Sequence, residues 1–103
     1  MKGKRRRKKC YLSGKMTGLS FGTIDVNFSR AAYHVCRMGF IPVNPFDNRR
    51  PRWMPYWGHL MLDILMLCAC DAIFMQKNWK DSRGARIEFK VAEKMKKEIF
   101  FEK

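Results

Sequence analysis

The sequence is short of acid: nine aspartates and glutamates stand against 22 lysines and arginines, a formal net charge of +13. Such a balance suits an anionic partner. Histidine is scarce, at His34 and His59, and the four cysteines, Cys10, Cys36, Cys68 and Cys70, show neither zinc-ligand spacing nor the pattern of a small disulfide scaffold. Cys68-Ala69-Cys70 has no supporting histidine or further cysteine at a useful distance, so neither a metal nor an organic cofactor is expected. The thiols are expected to be reduced and buried. No long apolar run exists. The longest, Leu60 to Cys70, is broken by Asp63 and falls well short of the roughly 20 residues that span a bilayer. The apolar segment after the basic N-terminus is too short for a signal peptide. No membrane association and a cytoplasmic location are therefore expected. There is no internal repeat, and no low-complexity segment beyond that N-terminus.

What is present is enough apolar material for a core. The 103 residues are 47% hydrophobic and 14% aromatic, too apolar for disorder and the right length for one domain. Lys2, Lys4, Arg5, Arg6, Arg7, Lys8 and Lys9 supply seven of the basic residues and leave 15 against the nine acids. Residues 1–9 are thus expected to form a disordered basic arm, either a solvated tail or a nucleic-acid contact, and residues 10–103 a single domain. A sheet this small leaves apolar faces for a second subunit, so a homo-oligomer, dimer or higher, is expected.

The element order reads as strand and helix in alternation. Cys10 to Ser13 is a short strand closed by Gly14. Apolar residues at spacings of three and four predict a helix from about Val26 to Met38, stopped by Gly39. Phe40 to Val43 follows as a strand, and Pro42 places it at a sheet edge because it lacks a ladder donor. Asn44 to Trp53 is a proline-punctuated loop. A helix is predicted from about Tyr56 to Cys68, a strand buried on both faces at Ala72 to Met75, a loop from Lys77 to Arg83, a helix at about Ala85 to Lys96, and a last strand at Ile99 to Phe101. The expected fold is α/β: a three-layer, Rossmann- or flavodoxin-like arrangement of about four parallel strands with helices on both faces.

Loops after parallel strands open at one sheet edge, so those following Ser13, Val43 and Met75 should face one crevice. In the first, Gly14 and Gly18 permit close backbone approach, and Lys15 and Thr17 add a charge and a hydroxyl suited to phosphate. An ordinary tight turn would look the same. Ser82 and Gly84 open the last helix, where Ser82 serves as an N-cap or meets a phosphate. Asp63 shares a helix face with His59 and Tyr56 at spacings of four and seven, either as a surface stripe or as an acid aimed at a pocket. Glu88, expected in the first turn of the last helix, would be unremarkable alone. Together with Asp63 it makes the carboxylate pair that glycosidic cleavage uses, one to attack the sugar carbon and one to serve the leaving group. Tyr11 can set its hydroxyl beside that pair. Trp53, Trp57 and Trp79 offer flat surfaces for a base or for packing.

The run Tyr11 to Gly18, Asn44-Pro45, Asp63, Cys70-Asp71-Ala72-Ile73, Trp79 and Ser82 to Glu88 resembles the small phage and prophage domains of unknown function related to nucleoside 2-deoxyribosyltransferases. The resemblance spans about Cys10 to Phe101. It implies Glu88 as nucleophile toward C1′, Asp63 as the group assisting the departing base, and Tyr11 as the residue orienting the nucleophile. Ser13, Gly14, Lys15, Met16, Thr17, Gly18, Asn44, Trp79, Ser82 and Gly84 would contact substrate. The serine at position 82 is similar to that of the nucleoside 5′-monophosphate N-glycosidases, in which it meets the 5′-phosphate; the transferases have an acid there. Relatives also complete a neighbouring subunit's pocket with a C-terminal extension, which the sequence past Phe101 does not match.

The expected activity is cleavage of the N-glycosidic bond of a (deoxy)nucleoside 5′-monophosphate, or transfer of its sugar. The alternatives are a non-catalytic nucleotide-binding protein that senses or sequesters its ligand, and a nucleic-acid-binding accessory protein working through Lys2 to Lys9.

Overall fold

The computed structural model describes residues 7–47 and 53–103. Four strands, β1 (Lys9–Ser13), β2 (Ile41–Val43), β3 (Ala72–Met75) and β4 (Glu98–Phe101), alternate with helices α1 (Phe21–Arg37), α2 (Tyr56–Cys68) and α3 (Arg83–Lys94). The strands form one parallel sheet in the order β2-β1-β3-β4. This is the expected three-layer α/β architecture. β3 is buried along its whole length, which is why its sequence is a continuous apolar run. β2, with Pro42, lies at an edge as its missing donor requires.

Period-two alternation in β1 feeds two cores. Cys10 and Leu12 join Ile24, Phe28, Ala31 and Val35 of α1, whose spacings of four, three and four make one buried helical stripe. Tyr11 joins Leu67 of α2, Ala85 and Ala92 of α3, and Ile73 and Met75 on the other face. α2 contributes little to either core. Of its 13 residues only Leu67 is buried, while Trp57 and Leu65 are 69% and 60% exposed.

The boundaries differ from expectation where caps override periodicity. α1 starts at Phe21 rather than near Val26, because the Ser20 hydroxyl accepts from Thr23 N at 3.2 Å and nucleates a turn with no apolar stripe of its own. It ends in a Schellman motif: Gly39 (φ +94) donates to Cys36 O at 3.0 Å and Phe40 to Val35 O at 3.2 Å. α3 begins at Arg83 behind the Ser82 cap, which puts Glu88 in its second turn and not its first. It ends at Lys94 instead of Lys96. Lys96 adopts φ 57, and Lys97 N donates to Ala92 O at 3.0 Å, the same motif built without glycine. Short 3-10 turns, Pro45–Asp47 and Trp79–Asp81, occupy two of the expected loops.

The basic arm is shorter than expected. Lys9 opens β1, and Lys8 O accepts from Ile41 N at 2.9 Å, so the ladder claims both. The remainder of the arm at residues 1–6 lies outside the described residues. The expectation of four buried thiols is corrected as well: Cys36 and Cys68 are exposed on helix surfaces, while Cys10 and Cys70 are buried. Burial pushes the Cys10 thiol up to about 12 and the Cys70 thiol up to about 11. Lys97 Nζ closes the α2 terminus by donating to the Cys68 and Cys70 carbonyls at 3.0 and 2.6 Å. Arg30 Nε and Lys77 N both donate to the Glu102 carboxylate, at 2.7 and 2.9 Å. Burial pushes that carboxyl up, but the two hydrogen bonds and the nearby cations together hold it below the usual range.

Candidate active site

From β1 the chain crosses to β2 by way of α1, whereas from β3 it crosses in the opposite direction to β4 by way of α3. The loops after β1 and β3 therefore part company and leave a crevice at the carboxyl edge of the sheet. Glu88 is aimed into it. Its carboxylate accepts from the Tyr11 hydroxyl at 2.9 Å (Oε2) and from the Ser13 hydroxyl at 2.6 Å (Oε1), and the residue is 5% exposed. Each carboxylate oxygen thus accepts a hydrogen bond despite its burial. The same bonds fix the plane of the carboxylate.

Around it lies a pocket of about 200 Å³. Tyr11, Gly14, Met16, Thr17, Asp63, Ser82, Gly84 and Glu88 line it, as do Tyr56 and His59, so the α2 face carrying Asp63 is a pocket wall. Among the described residues, Asp63 and Glu88 are its acids and no lysine or arginine lines it.

Other expected contacts are placed elsewhere. The Ser13 hydroxyl is engaged with Glu88. Lys15 lies in the outer cavity next door, and its backbone N donates to Asn78 Oδ1 at 3.0 Å. Gly18 (φ +86) shapes the turn, where any side chain would be strained, and does not line the pocket. Asn44 uses its Oδ1 to accept from Phe46 N at 2.9 Å, an Asx turn that holds Pro45 against the pocket. The Trp79 ring packs on Phe89 and Phe101, 4.9 and 5.9 Å between centroids, and is not among the residues lining the pocket. Ser82 caps α3, with Oγ accepting from Ala85 N at 3.1 Å, and also faces the pocket.

Two residues the sequence reading passed over hold the first loop in shape. Asn78 ties it to the loop after β3. Gln76 is 1% exposed, and its amide has no hydrogen-bond partner among the described residues. A Cβ on Gly14 would stand 2.4 Å from the Gln76 amide carbon, so Gly14 is needed for space. A polar residue at the end of a fully buried strand was the available signal.

Among the described residues, no cluster of three His, Cys, Asp or Glu could hold a metal ion, and no helix is long and apolar enough to cross a membrane.

Comparison with known proteins agrees with this architecture. The family described as Domain of unknown function (DUF4406) matches residues 8–101. No curated protein matches the sequence. Among solved structures, a 2-deoxyribosyltransferase from Leishmania mexicana superposes with a TM-score of 0.68 at 18% identity over 91% of this chain. The matched region spans 63% of that enzyme's length. The chain thus has the nucleoside deoxyribosyltransferase-like fold.

Proposed function

The chain belongs to the DUF4406 family, and on that footing we propose that it cleaves the N-glycosidic bond of a (deoxy)nucleoside 5′-phosphate or transfers the sugar to another base. The observation that carries this reading is the Glu88 carboxylate, buried and held by the Tyr11 and Ser13 hydroxyls in the pocket that Asp63 also lines. A nucleophile needs a fixed lone pair near the electrophilic carbon, and two donors on one carboxylate supply that fixation.

In the proposed reaction a Glu88 oxygen forms a bond to C1′ as the C1′–N bond breaks, through an oxocarbenium-like state. The protonated Asp63 gives its proton to the departing base. Water then adds to C1′ and displaces Glu88, its proton returning to Asp63; in transfer a second base takes the place of water. The 5′-phosphate lies at Ser82 and Gly84, where the first amides of α3 and its dipole favour an anion. Self-association through the apolar outer face of α2 and cytoplasmic action belong to the same reading. Nucleic-acid binding through Lys2 to Lys9 falls mostly outside the described residues.

The test is incubation with a panel of nucleosides and their 5′-phosphates, with free base followed by chromatography. Wild type releases base, and Glu88→Gln, which keeps the volume, slows release by at least roughly a thousandfold. Saturable nucleotide binding with no release by wild type would replace the enzyme with a sensor or sequestering protein. Full activity in Glu88→Gln would remove the nucleophile from the scheme.

A further inference from the structure

The pocket that holds Glu88 does not end at Ser82. It adjoins an outer cavity of about 550 Å³ lined by Lys15, Arg83, Arg86 and Asp81. Thr17, Tyr56, Ser82 and Gly84 line both spaces and form the neck between them. Charge is sharply divided across that neck. Among the described residues, the inner pocket is lined by two carboxylates, His59 and no lysine or arginine, whereas the outer cavity is lined by three cations and one carboxylate. At about 200 Å³ the inner space is also below the roughly 300–1,000 Å³ usual for a whole small ligand. A ligand with its reacting carbon at Glu88 must extend outward into the basic region.

The placement of the two arginines is the telling detail. They sit at the first and fourth positions of α3, whose first turn contains no acid. Cations at a helix N-terminus oppose the helix dipole, and like charges three residues apart repel. Local stability alone would select aspartate or glutamate here. Arg86 recovers one contact, donating to Lys80 O at 3.4 Å, and Arg83 and Arg86 are both exposed. An arrangement that breaks the local rule at the mouth of a pocket is accounted for by an anion that binds there.

In the functional reading above, Ser82 and Gly84 at the neck take one phosphate. Lys15, Arg83 and Arg86 line the space beyond it. We infer that the ligand's 5′ position carries at least two phosphates, the second held in the outer cavity by these three side chains, so that the substrate class is a nucleoside 5′-diphosphate or a larger molecule containing one. This deepens the functional reading above and rests on it for the orientation of the ligand.

The test compares 5′-mono-, di- and triphosphates of each common base, with inorganic pyrophosphate as a sugar-free probe, by calorimetry at fixed ionic strength. The proteins are wild type and the double variant Arg83→Ala/Arg86→Ala, whose side chains are exposed and whose folding is checked by its circular dichroism and melting point. Wild type is expected to bind di- at least tenfold more tightly than monophosphates. The double variant loses that preference and its pyrophosphate binding, with monophosphate affinity changed less than twofold. Equal affinity of wild type for mono- and diphosphates, a preference that survives the double variant, or no binding of any probe overturns the inference. Base release from monophosphates without diphosphate preference would leave the glycosidic reading standing and remove this one. Arginine-dependent diphosphate and pyrophosphate binding without base release would do the reverse.

Discussion

On the α1 side of the sheet, Cys10 and Leu12 meet Ile24, Phe28, Ala31, Val35 and Phe74, and the cluster is apolar throughout. On the α2 and α3 side, the intervening residues of the same strand, Tyr11 and Ser13, put two hydroxyls onto a buried carboxylate. One five-residue strand therefore supplies both a packed core and a polar site, divided only by which way alternate side chains point. The α1 side gains from area removed from water at little polar cost. The other side buries a polar carboxyl group, which is costly unless it is hydrogen-bonded. Both faces carry a buried apolar cluster, but only the second also buries a carboxyl group at the pocket.

The comparison breaks most visibly through Phe74, which is 4% exposed in the α1-side cluster and lines neither the inner pocket nor the outer cavity. Phe74→Ala is expected to cost about 3–5 kcal/mol in denaturant unfolding, with turnover per folded molecule unchanged. A loss below 1 kcal/mol would mean that this face does not anchor the fold. The mirror change is Tyr11→Phe. It keeps the ring in the core and removes one hydrogen bond to a charged group, worth about 1.5–3 kcal/mol. Felt in the transition state, that is a roughly ten- to hundredfold slower base release. Unchanged turnover in Tyr11→Phe would mean that the hydroxyl is there for the fold and not for the chemistry.

Gly14 tests the seam where the faces meet. Gly14→Ala would drive a methyl to 2.4 Å from the Gln76 amide, which is too buried to swing aside. The expected cost is about 1–3 kcal/mol, together with weaker ligand binding, because Gly14 lines the pocket. Adding Gln76→Ala should restore most of the stability, since the two changes share one contact. Simple additivity in that double variant would show that the strain lies elsewhere.

This seam also marks where the sequence stopped being readable. β3 was legible because a strand covered on both faces needs no pattern beyond continuous apolarity, and the edge position of β2 followed from one missing N–H on Pro42. The meeting of Tyr11, Asp63 and Glu88 in one pocket was legible too, because parallel order alone brings the relevant loops to one sheet edge. The partner of the Ser13 hydroxyl was not: it lies 75 residues away and depends on helix placement to within an ångström. The packing of Trp79 was not legible either, because an aromatic ring in a loop carries no sign of which neighbours it will meet. Here Phe89 and Phe101 decide the matter. The early start of α1 hid behind Gly22 and Asp25, which blur the apolar period although Ser20 caps the helix.

The smallest effect expected lies at the far end of α3. That helix opens with cations set against its own dipole at the site and closes with Lys96 at φ 57. Twelve residues at about 1.5 Å each separate the two irregularities by roughly 18 Å. The first has a reason at the ligand mouth, whereas the second serves only to close a Schellman motif that glycine closes without strain. The left-handed conformation costs a lysine about 1–2 kcal/mol, and glycine returns about 0.4–1 kcal/mol of that through its freer unfolded chain. Lys96→Gly should therefore raise stability by about 0.5–1 kcal/mol, a melting point higher by a few degrees for a domain this size, with nucleotide affinity and turnover unchanged. A gain in stability accompanied by lost activity would show that α3 must yield as a whole for the site to work, and that the division between a packed core and a polar site does not hold along this helix.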